Sequence, residues 1–253
     1  MSTLFIVATP IGNLSDLSSR AKETLVGVDA ILCEDTRVTA KLLAAFDIRK
    51  PLVAYHQHSD DRRIKEIIEM LRGGKSLALV TDAGTPGISD PGGRLVEAVL
   101  RAFSPLPPPE ADPALPERGD ERGVDEVEVS IVPIPGPSAI VAALSISGFP
   151  CDEFLFLGFP PNKKGRQSFF RRLATIESTV VLYESTHRIE KTLAEIDAVS
   201  PDRRLVVCRE LTKMYETMYR GTAKEVTARL KSTSIKGEFV LILAPIRLPP
   251  LTP

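Results

Sequence analysis

The sequence predicts an α/β protein of two domains, with a mostly parallel, doubly wound sheet in residues 1–135 and a mixed α/β sheet in residues 136–253. Three observations point there. Strand-like apolar runs alternate with helix-like amphipathic runs almost from end to end, the pattern of βαβ units. The alternation runs out at Ile134-Pro135-Gly136, where a strand enters a Pro/Gly turn, and then restarts. Farther on, Met218-Tyr219-Arg220-Gly221 and Lys236-Gly237-Glu238 read as antiparallel partners, so the second sheet is not purely parallel.

In chain order, the strands of the first part are Leu4–Ala8, Ala30–Cys33, Leu52–Ala54, Leu77–Val80 and Val129–Val132, all short, apolar runs. Between them Ser18–Val26, Thr36–Ala45, Asp60–Leu71 and Pro91–Phe103 carry helical apolar spacing. In the second part Pro137–Ser145, Gly165–Thr175, Arg188–Ala198 and Ala223–Leu230 read as helices, and Thr179–Tyr183, Leu205–Arg209 and Phe239–Leu243 as strands. Ser104 to Glu126 stands apart, rich in proline and acid and poor in apolar residues. Such a segment cannot bury enough surface to offset its ordering entropy, so it reads as a mobile, tolerated insertion in the first domain.

At 253 residues, with 43% hydrophobic and 26% charged residues, the chain has the composition of a soluble globular protein. No apolar run is long enough to span a bilayer, which predicts no membrane partner. Met1-Ser2-Thr3-Leu4-Phe5 has no basic region before its apolar residues, so the start reads as a strand rather than a signal peptide. Cys33, Cys151 and Cys208 are far apart and lack metal-ligand spacing; they read as thiols in a reducing cytoplasm. A formal net charge of −1 means that any nucleic-acid partner needs a local basic patch.

Candidate chemistry collects at the strand ends. Thr81-Asp82-Ala83-Gly84-Thr85-Pro86-Gly87 follows an apolar strand, and Asp90-Pro91 reads as a helix N-cap with Pro at the first helical position. Ligands of open α/β sheets bind outside such carboxyl ends. Gly136-Pro137-Ser138-Ala139 offers backbone N–H groups at a helix start, as an anion or hydroxyl site or as a plain hinge. Thr9-Pro10-Ile11-Gly12 is a small-residue loop, and the chain contains no Gly-rich phosphate cradle, which argues against NAD dehydrogenases and NTPases. Glu34, Asp35 and Arg37 end the second strand, either as a helix cap or as a polar cleft group. His56 and His58 make a weak metal signal, and no catalytic metal is expected. Lys163, Lys164, Arg166, Arg171 and Arg172, interleaved with Phe159, Phe169 and Phe170, read either as a solvated helix start with core-facing Phe or as a single-stranded RNA surface, with cations for phosphates and rings for unpaired bases.

These segments, taken in order as VATPIGNLSDLS, CEDTR, SLALVTDAGTPGISDPG, VPIPGPSA, FLGFPPNKKGR, LYESTHR, RELTK and KGEFVLIL, resemble the small-subunit ribosomal RNA methyltransferase I group of the tetrapyrrole methylase superfamily. The resemblance covers roughly Thr3 to Ala244. It implies a two-domain tetrapyrrole-methylase-like fold with S-adenosylmethionine in a cleft between the domains. It also implies a homodimer in the cytoplasm that methylates the ribose 2′-oxygen of a cytidine in the decoding region. The substrate is small-subunit ribosomal RNA or the assembled small subunit. By motif, the cofactor contacts are Pro10, Asp82, Gly84, Thr85, Ser138, Ala139, Tyr183, Leu211 and Glu238. The chain stops at Pro253, where many relatives continue into a small helical module that would add RNA affinity.

The expected reaction is an in-line displacement at a sulfonium methyl, dominated by positioning. Glu34, Asp35 and Glu184 are candidates to accept the hydroxyl proton, with Arg37 and Lys213 aligning phosphate or stabilising developing oxyanion. Two other readings stand beside it: methylation of a small tetrapyrrole, and a non-catalytic protein that binds S-adenosylmethionine during assembly.

Overall fold

The computed structural model describes residues 2–57, 59, 61–103 and 128–247. The proline-rich insertion at 104–126 and His58 lie outside the described residues. The chain divides into two compact units, Met1–Pro10 with Leu14–Pro137, and Ile11–Asn13 with Ser138–Pro253.

In the first unit, strands β1 (Ser2–Val7), β2 (Ala30–Cys33), β3 (Leu52–Ala54), β4 (Leu77–Leu79) and β5 (Val129–Ile134) form one sheet in the order β3-β2-β4-β1-β5. Every pairing is parallel. Helices α1 (Ser19–Gly27), α2 (Thr36–Ala45), α3 (Asp61–Arg72) and α4 (Gly92–Phe103) supply the crossovers. Side-chain alternation along the strands feeds two cores. Ile31, Cys33, Ala78 and Val80 pack with Ala21 and Leu25 of α1 and Leu43 of α2. Leu4, Leu32, Leu77 and Leu79 pack with Ile67 and Leu71 of α3 and Leu95 and Val99 of α4. The chain therefore leaves β1 toward one face and leaves its neighbour β4 toward the other. That divergence opens a crevice at their carboxyl ends.

In the second unit, β6 (Phe154–Phe156), β7 (Thr179–Ser185), β8 (Leu205–Arg209), β9 (Thr217–Gly221) and β10 (Glu238–Leu243) are ordered β6-β7-β10-β8-β9. Only the β6–β7 pairing is parallel. Helices α6 (Arg166–Leu173), α7 (Ile189–Val199) and α8 (Ala223–Ser232) bury one face of this sheet through Phe170, Leu193, Ile196, Val226 and Leu230. Helix α5 (Ala139–Ser145) covers the other face with Ile140, Ala143 and Leu144, joined by Ile11 from the short N-terminal segment.

Two expectations are corrected, and one strand is added. The 218–221 segment pairs with β8, not with 236–238. Glu238 opens β10, whose two edges are taken by β7 and β8, so β9 lies on the free outer edge of β8. The helix expected from Pro137 begins at Ala139, because Ser138 is still extended at φ −142° and ψ 120°. Strand β6 is a three-residue edge strand too short for its alternation to register.

Candidate functional site

In the first unit three loops close into one corner at the carboxyl ends of the sheet. Thr9 and Gly84 exchange backbone hydrogen bonds, Thr9 N donating to Gly84 O at 2.9 Å and Gly84 N to Thr9 O at 3.1 Å. The Thr9 hydroxyl, fully buried, donates to Thr81 O at 3.1 Å. Ala8 N donates to Ile134 O at 3.2 Å, and the Thr85 hydroxyl to Pro137 O at 3.2 Å. This close approach explains the small residues. A Cβ on Gly136 would sit 2.9 Å from the Cβ of Ala8. Gly84 and Gly87 take φ of +83° and +92°, a region that penalises side chains. Asp90 fastens the far end of the loop, its carboxylate accepting from Gly87 N and Gly92 N, both at 2.8 Å.

The acidic residues beside this corner differ in role. Asp35 caps α2, accepting from Arg37 N at 2.8 Å, and is gripped by the Arg37 guanidinium at 3.0 and 2.6 Å. Those bonds hold its carboxyl well below the usual carboxylate range, which makes it a poor proton acceptor. Arg37 is thereby committed to a local pair at the surface. Asp82 accepts from Asp35 N at 3.2 Å. Burial, then the Asp35 charge, pushes its carboxyl upward. Glu34 is half-buried, 3.5 Å from the Thr81 hydroxyl, and is pushed upward by burial and by the Asp82 and Asp90 charges. A carboxylate raised in this way is the better proton acceptor of the group. Pro10, Asp82, Gly84 and Thr85 are thus brought together with Glu34, Asp35 and Arg37.

In the second unit Ala139, Tyr183 and Leu211 pack in the cluster under α5. Tyr183 lies edge-on to Phe156, with ring centroids 4.9 Å apart, and burial lifts its hydroxyl to about 12. Lys213 sits 3.2 Å from Glu210 and 2.9 Å from Glu238. Partial burial works against its charge, but the two carboxylates outweigh that and hold the ammonium above its ordinary value. The turn carrying it is strained: Glu210 and Thr212 take φ of +51° and +65°. It also presses on the N-terminal segment, where a Cβ on Gly12 would sit 2.4 Å from Lys213 Cγ. Sequence reasoning missed this strain and the tying role of Thr9. The one available signal was the crowding of small residues around both.

Two predicted site residues are overturned. Glu184 is not available as a proton acceptor. Alternation on β7 turns it away from Tyr183, toward α7, where it is 1% exposed. There it accepts from Thr192 Oγ1 at 2.6 Å and from Ser185 N at 2.8 Å, and pairs with Arg188 at 2.8 Å. Arg166 is not a phosphate contact. It is 5% exposed and engages Glu195, Thr192 and the Pro161 carbonyl. Nor do these aromatics form an exposed stacking surface: Phe170 is in the core, with the Arg166 guanidinium 5.1 Å from its ring centre, and Phe169 packs against it. Lys163, Lys164, Arg171, Arg172 and the ring of Phe159 do face solvent. Among the described residues no group of three or more His, Cys, Asp or Glu is arranged to hold a metal ion, and no helix is long and apolar enough to cross a membrane.

Comparison with known proteins bears on both units. The model of the tetrapyrrole (corrin/porphyrin) methylases matches residues 3–108 and 112–227. A protein of Synechocystis sp. named ribosomal RNA small subunit methyltransferase I is 42% identical over 96% of this chain and 79% of its own length. A protein of the same name from Thermotoga maritima is 38% identical over 96% of this chain and 99% of its own. Among solved structures, a uroporphyrin-III C-methyltransferase from Thermus thermophilus complexed with S-adenosyl homocysteine aligns with a TM-score of 0.61. It is 16% identical, covers 96% of this chain and 97% of the other, and so speaks for the fold alone. The chain belongs to the tetrapyrrole (corrin/porphyrin) methylase family, and within it groups with the proteins named ribosomal RNA small subunit methyltransferase I.

Proposed function

We propose that the protein is an S-adenosylmethionine-dependent methyltransferase of small-subunit ribosomal RNA, acting on the ribose 2′-oxygen of a cytidine in the decoding region. The observation that carries this reading is identity of about two residues in five, over nearly the whole chain, to proteins named for small-subunit ribosomal RNA methylation. The donor set fits the cofactor. A corner of closely packed backbone and glycines beside the Asp82 carboxylate suits a ligand that approaches the main chain and carries hydroxyl or ammonium groups. When bound, that cofactor supplies a methyl group activated by a positive sulfur. The proposed contacts in the first unit are Pro10, Asp82, Gly84 and Thr85; those in the second are Ser138, Ala139, Tyr183, Leu211 and Glu238.

Glu34 takes the proton of the attacking hydroxyl on this reading, because Asp35 is over-stabilised as a carboxylate and Glu184 is buried. Lys163, Lys164, Arg171 and Arg172 neutralise phosphates. The protein works as a homodimer in the cytoplasm, which sedimentation analysis of the purified chain checks.

The test is mass mapping of ribosomal RNA nucleotides after incubating the protein and S-adenosylmethionine with small subunits, free RNA or a porphyrinoid. A single ribose-methylated cytidine is the expected result. Methyl transfer to the porphyrinoid alone overturns it, and binding of the cofactor with no transfer to any of the three marks a non-catalytic protein. Glu34→Gln slows single-turnover methylation about a hundredfold if that carboxylate is the base.

A further inference from the structure

Two guanidinium groups in the second unit point inward from α6 and from the residue preceding α7, and both end on the same loop. Arg188 Nη2 donates to the Pro160 carbonyl at 2.5 Å and its Nη1 to Asn162 Oδ1 at 3.2 Å. Arg166 Nη1 donates to the Pro161 carbonyl at 3.0 Å. Three consecutive residues, Pro160, Pro161 and Asn162, are thus tied by arginines immediately before Lys163 and Lys164, which are exposed.

The arginines are themselves fixed from behind. Glu184 Oε2 accepts from Arg188 Nη2 at 3.2 Å and from Thr192 Oγ1 at 2.6 Å. Thr192 Oγ1 in turn accepts from Arg166 Nη2 at 2.8 Å, and Glu195 accepts from Arg166 Nε at 2.8 Å. Each buried charge faces an opposite charge. Neither proline offers a backbone N–H, so the loop cannot pair as a strand, and its carbonyls depend on these side chains. A network of this kind holds one geometry because every departure strands a buried charge.

We propose that Arg188, oriented by Glu184, is a positioning residue for RNA recognition: it fixes the Pro160–Gly165 loop so that Lys163 and Lys164 are presented together to the phosphate backbone. The inference rests on the reading that the chain acts on ribosomal RNA. It gives the LYESTHR segment a role in substrate placement rather than in proton transfer.

The test uses the full chain, S-adenosylmethionine and purified small ribosomal subunits, with Arg188→Ala, Arg188→Lys, Asn162→Ala and the paired Lys163→Ala, Lys164→Ala variant. Arg188→Ala should raise KM for the subunit about tenfold while kcat and the calorimetric affinity for S-adenosylmethionine stay within about twofold. Asn162→Ala, which removes one tether and no charge, should move KM the same way by less. Backbone amides of residues 159–165 should exchange faster in both. In the paired lysine background Arg188→Ala should add nothing further to KM, because the arginine acts through those lysines. If Arg188→Ala does not fold, Arg188→Lys carries the test: it keeps a cation opposite Glu184 but cannot reach both loop acceptors.

Additive effects on KM, or an unchanged KM with loop exchange like that of the unaltered protein, would overturn the proposal. An unchanged KM in the paired lysine variant would also overturn it, by removing the loop from RNA binding. Failure of the unaltered protein to methylate any subunit would break the functional reading instead, and the loop exchange of Arg188→Ala would still decide whether the arginine positions the loop.

Discussion

The loop corner of the first unit and the basic segment of the second are held by opposite means. In the corner, Thr9, Thr81, Gly84, Thr85 and Pro137 are joined by one backbone pair and two hydroxyls, with no charge among them. In the basic segment, five charged or polar side chains, Arg166, Glu184, Arg188, Thr192 and Glu195, do the work of the missing backbone bonds. On the proposed function, the difference follows from what each region has to meet. A small ligand that must approach the backbone closely needs glycines and short side chains, which leave room but give little side-chain grip. Exposed cations that must hold a fixed spacing against their own repulsion need a rigid mount, and a buried ion network supplies one.

The largest effect that would sharpen this comparison is on stability. Glu184→Ala should destabilise the protein by about 3 kcal/mol, the lower end for broken buried pairs because Arg188 can turn toward water. Chemical denaturation measures it. A loss below about 1 kcal/mol would rank the network with surface ion pairs and erase the contrast.

Next is Gly136→Ala, whose methyl would meet Ala8 at 2.9 Å. Overpacking there should cost about 1–3 kcal/mol and weaken cofactor binding along with it. Calorimetry with S-adenosylmethionine should show a lower affinity, and hydrogen exchange should show no change at the 159–165 amides. Thr9→Val comes third: it removes a single buried hydroxyl donor, worth about 1 kcal/mol, and should loosen the same corner more mildly.

The smallest effect is in pH dependence. Glu34 and Asp82 have folded-state values raised above their ordinary 4.5 and 3.8. Their contribution to stability is therefore full below those ordinary values and is lost as pH rises through the folded ones, the reverse of an ordinary ion-paired carboxylate. Glu34→Gln should leave stability near pH 3 unchanged and flatten its decline above the ordinary glutamate range. Paired thermal scans from pH 3 to 8 measure this; a variant with the unaltered slope would show that Glu34 is not the strained carboxylate.

Much of this was legible along the chain, and particular residues show why. Asp35 announces a helix start because capping is local: its carboxylate meets an N–H two residues on. The loop from Asp82 to Gly92 could be placed at a strand end because Pro86-Gly87 and Asp90 carry their turn and cap chemistry within a few residues. What stayed hidden depends on contacts far apart in sequence. Thr9 meets Thr81 across 72 residues. Arg166 reads as one of five similar cations until α7 brings Glu195 and Thr192 to it.

By itself, then, the amino-acid sequence determined the two α/β units, their strand and helix order, the small-residue loops and the family resemblance, all of which rest on periodicity, capping and turn chemistry within short windows. Only the tertiary structure decided which charges work and which are buried. It put Glu184 on the helix face of β7 and sank Arg166 beneath α7. It also left Glu34 half-buried, with its carboxyl pushed upward by burial and by the Asp82 and Asp90 charges. The physical reason is that a charge's role is set by what replaces its water, and those replacements come from residues that only folding brings near.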